Sequence, residues 1–396
     1  MKLYHAKIVL PDQVIDNGYV SIEGDIIREI GQGNPQHITS DDINAEGNWL
    51  IPGLIDSHSD AIEIEIEPRP TSRFPVELSF AELEKKLVGE GITTIFHAVS
   101  LLKRNTVRWA RENDTAYDLI EDIHRLASEQ HMIRHKTHLR YEITNVDAAE
   151  KVSRLIADGK IDQFSLTDHT PGQGQYRDLE VQMRLLVDHR HYSKEEALKI
   201  VNDTQHQAKL DPQSIVHLAH LAEECGIPVA SHDDDTIDKL NLIREWKASI
   251  SEFPITLDVA RYAKQMGLYV VMGAPNLLLG RSHSKNLSAR TAVSEGLVDM
   301  LCSDYYPSSL LHAAFQLHYE LGLSVPYAIN MVTLNPAKAL KLDHELGSIE
   351  TGKKADLLLV AANPKNKPLL RSVFVDGKQV CHLSYLTASA HALANG

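Results

Sequence analysis

Leu50-Ile51-Pro52-Gly53-Leu54-Ile55-Asp56-Ser57-His58-Ser59-Asp60 reads as a short buried strand that runs straight into an imidazole and a carboxylate. Ile51, Leu54 and Ile55 supply its apolar side chains, and Pro52-Gly53 stand at its mouth. Side chains two apart on a strand share a face, so Asp56, His58 and Asp60 can point the same way. A histidine and a carboxylate at that spacing can bind one divalent metal. His-x-Asp alone is equally the polar end of a loop. Its meaning depends on whether other strand ends answer it.

Downstream of this stretch the texture alternates between strands and helices, the sign of a parallel α/β fold. Candidate strands are Leu54–Asp60, Thr93–Val99, Thr137–Ile143, Gln163–His169, Pro228–Asp233, Ala248–Pro254, Tyr269–Pro275 and Met300–Tyr306. Eight such strands with intervening helices predict a (β/α)8 barrel over residues 51–344. Ser79-x-x-Glu82 and Ser193-x-x-Glu196 fit capping boxes at helix starts. Gly226 and Gly267 predict the ends of helices over Ser214–Cys225 and Leu257–Met266.

The two chain ends have a different texture. Ala6–Leu10, Tyr19–Glu23 and Ile26–Ile30 are short strands, with a turn at Gly24-Asp25. Lys354–Val360, Val373–Val375 and Gln379-Val380 repeat the pattern, with a turn at Asp376-Gly377. Residues 1–50 and 345–386 together predict one small β-sandwich flanking the barrel, and residues 387–396 a small polar tail.

Composition narrows the classes of function. The chain has 396 residues, 43% hydrophobic and 24% charged, which is globular and enough for one large domain or two ordinary ones. A net charge of −14 argues against a nucleic-acid partner but leaves room for a local basic cluster and a small anionic substrate. No apolar run reaches the roughly 20 residues that span a bilayer. Met1–Ala6 lacks the apolar run of a secretory signal. Cys225, Cys302 and Cys381 form no Cys-x-x-Cys pair, and reduced thiols in a cytoplasmic protein are the expectation. A homo-oligomer is compatible with all of this.

Active sites of such barrels lie at the C-terminal ends of the strands. The first strand ends in His58 and Asp60. The third alternates so that His138, Arg140 and Glu142 share one face, opposite Leu139 and Tyr141. The fourth ends in His169, the fifth in His232 and the eighth in Asp304. Each has a bland reading by itself. His169 is then a surface histidine, His232 with three aspartates a solvated charge run, Asp304 a helix N-cap for Ser308–Leu321, and Glu142 a structural partner of Arg140. Coincidence at five strand ends is harder to accept than one site. His58, Asp60, Glu142, His169, His232 and Asp304 suffice for two divalent metals, zinc first, with manganese or iron as alternatives.

At this point the chain resembles the amidohydrolase superfamily, metallo-barrels with a small sandwich built from both chain ends. The resemblance places His58-Ser59-Asp60 at the usual His-x-His, Glu142 at the usual carboxylated lysine, and Asp304 at the final strand aspartate. A narrower resemblance rests on Ser165–Gln173, Ala230–Asp234, Met272–Asn276, Ser282–Ser284, Ser303–Pro307 and Asn335–Ala337. It is to the ribosyl-triphosphate diphosphatases of phosphonate breakdown. The resemblance implies hydrolysis with release of pyrophosphate and Asp304 as catalytic proton acceptor. The predicted substrate contacts are Arg140, Arg177, Arg281, His283, Lys285 and Tyr305.

Three features bear on the alternatives. Gly273–Asn276 and Gly280–Asn286 follow the seventh strand, where barrels of this kind often bind phosphate. Arg69, Arg73, Arg140, Arg177, Arg281 and Lys285 favour an anionic substrate over the C–N bond of a deaminase or N-acyl hydrolase. Glu63, Glu65 and Glu67 sit badly with a triphosphate unless they alternate outward as a solvated edge. A non-catalytic assembly barrel is expected to lack ligands, and none is missing.

Overall fold

The computed structural model describes residues 1–69, 71–102, 109–174, 179–189, 192–282, 286–362 and 367–386, and in it the alternating segments close into a barrel. From the N-terminal end come β1 (Lys2–Val9), β2 (Val14–Glu23), β3 (Ile26–Gln32), β4 (Ile43–Asn44) and β5 (Trp49–Pro52). The barrel strands are β6 (Leu54–Ser59), β7 (Ile92–Leu101), β8 (Arg134–Glu142), β9 (Gln163–Thr167), β10 (Val229–His232), β11 (Ile250–Glu252), β12 (Tyr269–Gly273) and β13 (Met300–Cys302). The C-terminal end adds β14 (Leu357–Ala362), β15 (Pro368–Val375) and β16 (Lys378–His382).

The eight barrel strands pair in chain order, all parallel. Parallel strands covered on both faces are apolar nearly throughout, and all ten residues of β7 are buried. The ring is completed where Ser59 bridges to Asp304, and two backbone hydrogen bonds fasten that seam. Asp304 N–H donates to His58 O at 3.0 Å, and Asp60 N–H donates to Asp304 O at 2.7 Å. Asp304 takes φ +55° at this junction. All eight predicted strands are present; β7 and β8 are longer than predicted, and the other six are shorter by one to four residues, chiefly because their C-terminal residues turn into the loops.

The chain ends pair into one mixed sheet in the order β16-β15-β14-β5-β1-β2-β3, with β4 beside β1. Ile27 N–H donates to Lys353 O and Ala355 N–H to Asp25 O, so β3 returns to the start of β14. The sheet thereby rolls round its own core of Leu3, Ile8, Val20, Ile27, Leu50, Leu357 and Phe374. Asp376 and Gly377 have φ of +49° and +71°, as a two-residue hairpin turn requires. Gly53 joins β5 to β6, and a Cβ there would lie 2.2 Å from Thr93 Oγ1. Arg134 ties the barrel to the end sheet through hydrogen bonds to Asp356 and Asp376.

Helix boundaries follow the capping chemistry in part. Ser193 forms the expected capping box with Glu196 at the helix Lys194–Gln205. The Ser79 box is a correction. Helix α2 (Val76–Gly89) begins after Pro75, which places Ser79 inside it, buried and donating to Glu65 O at 3.3 Å. The solvated edge is a second correction. Ile62–Glu67 is not extended, because Ala61–Ile66 forms a short helix, α1. Its glutamates therefore diverge. Glu63 is buried against Arg111, Glu65 pairs with Lys86, and Glu67 accepts from Trp109 N–H. No described helix is long and apolar enough to cross a membrane.

Candidate active site

The C-terminal strand ends open into a cavity of about 610 Å³. Asp60, Arg140, His169, His232, Asp304, Arg281 and Tyr305 line it, so it gathers residues from the first, third, fourth, fifth and eighth strands and the loop after the seventh. His58 and Glu142 lie just beneath, 1% and 4% exposed. Arg177, His283 and Lys285 lie outside the described residues. Of the other basic residues, Arg69 is exposed and the Arg73 guanidinium stacks over the Trp109 ring, 4.7 Å from its centroid.

Two groups of donors stand among these residues. In the first, His58, His138 and Glu252 bring one donor atom each within 4.8 Å of the others. His58 Nδ1 is 3.1 Å from Glu252 Oε1, and its Nε2 lies 3.9 Å from Asp60 Oδ1. The His138 ring meets that of His58 edge-on, with centroids 5.0 Å apart. In the second group, His169, His232 and Asp233 do the same. Asp233 Oδ2 is 2.9 Å from His232 Nδ1 and 3.9 Å from His169 Nε2. Both atoms of the 2.9 Å contact are buried, and neither makes a hydrogen bond to another residue.

The predicted ligands divide unevenly between these groups. Glu142 enters neither. Its carboxylate accepts from Thr167 Oγ1 at 3.1 Å, from His169 N–H at 3.0 Å and from His169 Nδ1 at 2.6 Å, so it orients that ring. It does not pair with Arg140. Asp60 accepts from Arg111 Nη2 at 3.1 Å and from Arg140 Nη1 at 3.2 Å, and Arg140 also reaches His232 Nε2 at 3.2 Å. Arg111 in turn binds buried Glu63 at 2.7 Å. Asp304 stands on the seam beside His58 and Asp60 and is not a helix cap. The helix Ser309–Leu321 has Ser308 at its N-cap. The aspartate run is no solvated patch either, since Asp234 is fully buried between Ser231, Ser251 and Lys239.

Electrostatics follow from this packing. Burial works against the Asp233 carboxylate, but His232, His169 and Lys239 outweigh it and hold its pKa at about 2. Burial pushes His138 down to about 3, against the pull of Glu252, so its ring is neutral. Burial also works against the Glu252 carboxylate, yet His138 and His58 hold it well below the usual range. Burial drives Asp56 up to about 6 despite the Ser303 N–H and hydroxyl. Burial works against the charged form of His58, but the Glu252 carboxylate raises its pKa. The donors thus combine imidazole with ionised carboxylate, a mixture suited to zinc and related divalent ions. His58 Nε2, His138 Nδ1, His232 Nδ1 and Asp233 Oδ2 are all buried without a hydrogen-bond partner. Buried polar atoms are normally satisfied. Four left bare in one place fit a resident cation.

Sequence reasoning missed Glu252, Asp233 and Arg111 and gave His138 no role. An acidic residue at the end of the sixth strand, Ser251-Glu252-Phe253, was the available signal for the first. Asp233 was visible only as part of an acidic run.

The amidohydrolase family pattern matches residues 49–380. The chain is 31% identical over 385 residues to the alpha-D-ribose 1-methylphosphonate 5-triphosphate diphosphatase of Escherichia coli (strain K12), covering 96% of this chain and 100% of that one. It is 30% identical over 164 residues to the dihydroorotase of Methanopyrus kandleri, covering 37% of this chain and 34% of that one. Among solved structures it resembles the 5-methylcytosine deaminase from Klebsiella pneumoniae liganded with 5-fluorocytosine. That likeness has a TM-score of 0.67 at 17% identity, over 99% of this chain and 100% of that one.

Proposed function

Because this chain belongs to the amidohydrolase family, we propose that it is a divalent-metal hydrolase that cleaves the triphosphate of alpha-D-ribose 1-methylphosphonate 5-triphosphate. The products are pyrophosphate and the 5-phosphate. One observation carries the substrate, the 31% identity to the Escherichia coli diphosphatase across 96% of this chain. The paired donor groups under a single cavity support the chemistry.

His58, Asp60, His138, His169, His232, Asp233 and Asp304 would hold the metal, with Glu252 beneath them. A divalent ion in such a site acts as a Lewis acid and makes water nucleophilic near neutral pH. The chain supplies the rest. A phosphorus–oxygen bond to water forms as the anhydride bond to the leaving pyrophosphate breaks. Asp304, on the seam between the first and eighth strands, accepts the proton of the attacking water and passes it outward. Arg140 and Arg111 hold Asp60 in place from two sides. Arg281, at the rim, offers a two-pronged match to phosphate oxygens, and the Ser282 hydroxyl lies beside it.

Arg281→Ala combined with Lys285→Ala is expected to raise KM for the triphosphate roughly tenfold or more, as loss of charge-assisted hydrogen bonds implies. Turnover of a small neutral ester or amide should hardly change. Steady-state kinetics on both substrates check this. An unchanged KM for the triphosphate removes the rim from substrate binding.

One observation favours a second reading. Phe253, Pro254, Ile255, Met272, Leu279 and Leu287 give the cavity an apolar lining beside its charged groups. An amidohydrolase cleaving a C–N bond in a flat or acylated substrate would use that lining. Hydrolysis of a panel of amides and amidines with no triphosphate turnover would select it.

A further inference from the structure

Glu252 has no part in the reaction just described, yet it is a fully enclosed charge beneath the cavity. It ends β11 at 0% exposure, in a barrel interior that is ordinarily filled by branched apolar side chains. A carboxylate there is tolerated only when its oxygens are filled. Three donors from two strands, β6 and β9, fill them. Oε1 receives His58 Nδ1 at 3.1 Å and Gln163 Nε2 at 3.3 Å, and Oε2 receives Ser165 Oγ at 2.8 Å.

These bonds determine where the histidine protons sit. An ionised carboxylate only accepts, so Ser165 gives its single hydroxyl proton to Glu252. Its oxygen is then the acceptor for His138 Nε2, which stands 2.6 Å away. His138 therefore carries its proton on Nε2, and His58 gives the proton on its Nδ1 to Glu252 Oε1. The opposite nitrogens, His138 Nδ1 and His58 Nε2, are the ones left to face a cation. These are two of the buried atoms that lack a hydrogen-bond partner.

We propose that Glu252 is a positioning residue that fixes the tautomers of His58 directly and of His138 through Ser165, so that both rings present bare nitrogens to a divalent cation. Glu252 also stands close enough to ligate the ion itself, but its oxygens already hold three donors. A carboxylate behind a metal-binding histidine fixes ring orientation and raises basicity, and its loss typically weakens metal binding 10–100-fold. The inference rests on reading the site as a divalent-metal centre and concerns how that centre is built.

The test is a titration of the metal-free chain with zinc against a chromophoric chelator, with thermal melting run in parallel. Glu252→Gln keeps the shape and removes the charge. It is expected to bind as many zinc ions at saturation as the unaltered chain, with Kd raised roughly 10–100-fold. Ser165→Ala cuts only the arm to His138 and should weaken binding in the same direction by a smaller factor. Unchanged affinity in Glu252→Gln, even with a lower Tm, overturns the inference and makes Glu252 a packing residue. Loss of one zinc equivalent at saturation also overturns it, because Glu252 would then be a ligand. If Glu252→Gln does not fold, Ser165→Ala decides, and wild-type affinity there is the overturning result. Absence of zinc binding by the unaltered chain removes the metal-centre reading itself, and this inference with it.

Discussion

Asp304→Asn is expected to lower kcat roughly 100-fold or more while KM changes far less, because a proton acceptor acts on the reaction and contributes little to holding the substrate. The substitution is well matched to the backbone. Asp304 sits at φ +55°, a conformation that Asn tolerates as readily as Asp. Its backbone links to His58 and Asp60 use only N–H and C=O groups, so the seam of the barrel is left intact. The shape of the side chain is also retained. A fall in kcat with an unchanged Tm therefore reports chemistry and not unfolding. An Asn variant with near-normal kcat removes Asp304 from the mechanism.

His58→Ala and His232→Ala are expected to lose bound metal and activity together, with activity reduced roughly 100-fold or more, as loss of a metal ligand or its orientation implies. The two residues sample different donor groups, one with His138 and Glu252, the other with His169 and Asp233. Each substitution leaves a buried acid without its imidazole partner. His58→Ala uncovers Glu252 Oε1, and His232→Ala takes away the nearest neighbour of Asp233 Oδ2. Some loss of stability therefore accompanies the loss of metal, and far-UV circular dichroism separates the two. Elemental analysis of the purified variants is the check. A fully active preparation free of divalent metal contradicts the mechanism.

The barrel and much of its mouth were legible because their signals are local. Parallel strands buried on both faces are continuous apolar runs, and β7 is one of ten residues. His58, His169, His232 and Asp304 stand at the ends of such runs, so topology alone marks them. The residues that were not legible depend on contacts far apart in the chain. Glu252 meets His58 across 194 positions and Ser165 across 87. Arg111 reaches Asp60 across 51 and Glu63 across 48. Nothing at residue 111 by itself distinguishes a buried charge from a solvated one, and residue 252 offers only its place at a strand end.

The Glu63, Glu65 and Glu67 pattern failed for another reason. Alternation over six residues mimics a strand, but the segment folds as one short helix that buries Ala61, Ile62, Glu63 and Ile66. Periodicity in so short a run does not settle between the two, and packing against the barrel decides. Ser79 failed similarly, because Pro75 begins the helix one turn earlier than the capping motif indicates.

The charge balance at the mouth also depends on these distant pairs. Arg140 and Arg111 are held by Asp60 and Glu63, so they stabilise the acidic side of the site as well as facing the cavity. Among the described lining residues Arg281 is the cation placed furthest toward the rim loop, next to Ser282 and Asn286. That placement is why the rim variant is expected to change KM while the Asp304 variant changes kcat.

The account is tested most directly by following alpha-D-ribose 1-methylphosphonate 5-triphosphate, incubated with the zinc-loaded chain, by phosphorus NMR. It predicts that the triphosphate resonances give way to one equivalent each of pyrophosphate and the ribosyl 5-phosphate, and that a chelator stops the conversion. An unchanged triphosphate spectrum from a preparation that hydrolyses an amide or deaminates a base would contradict it.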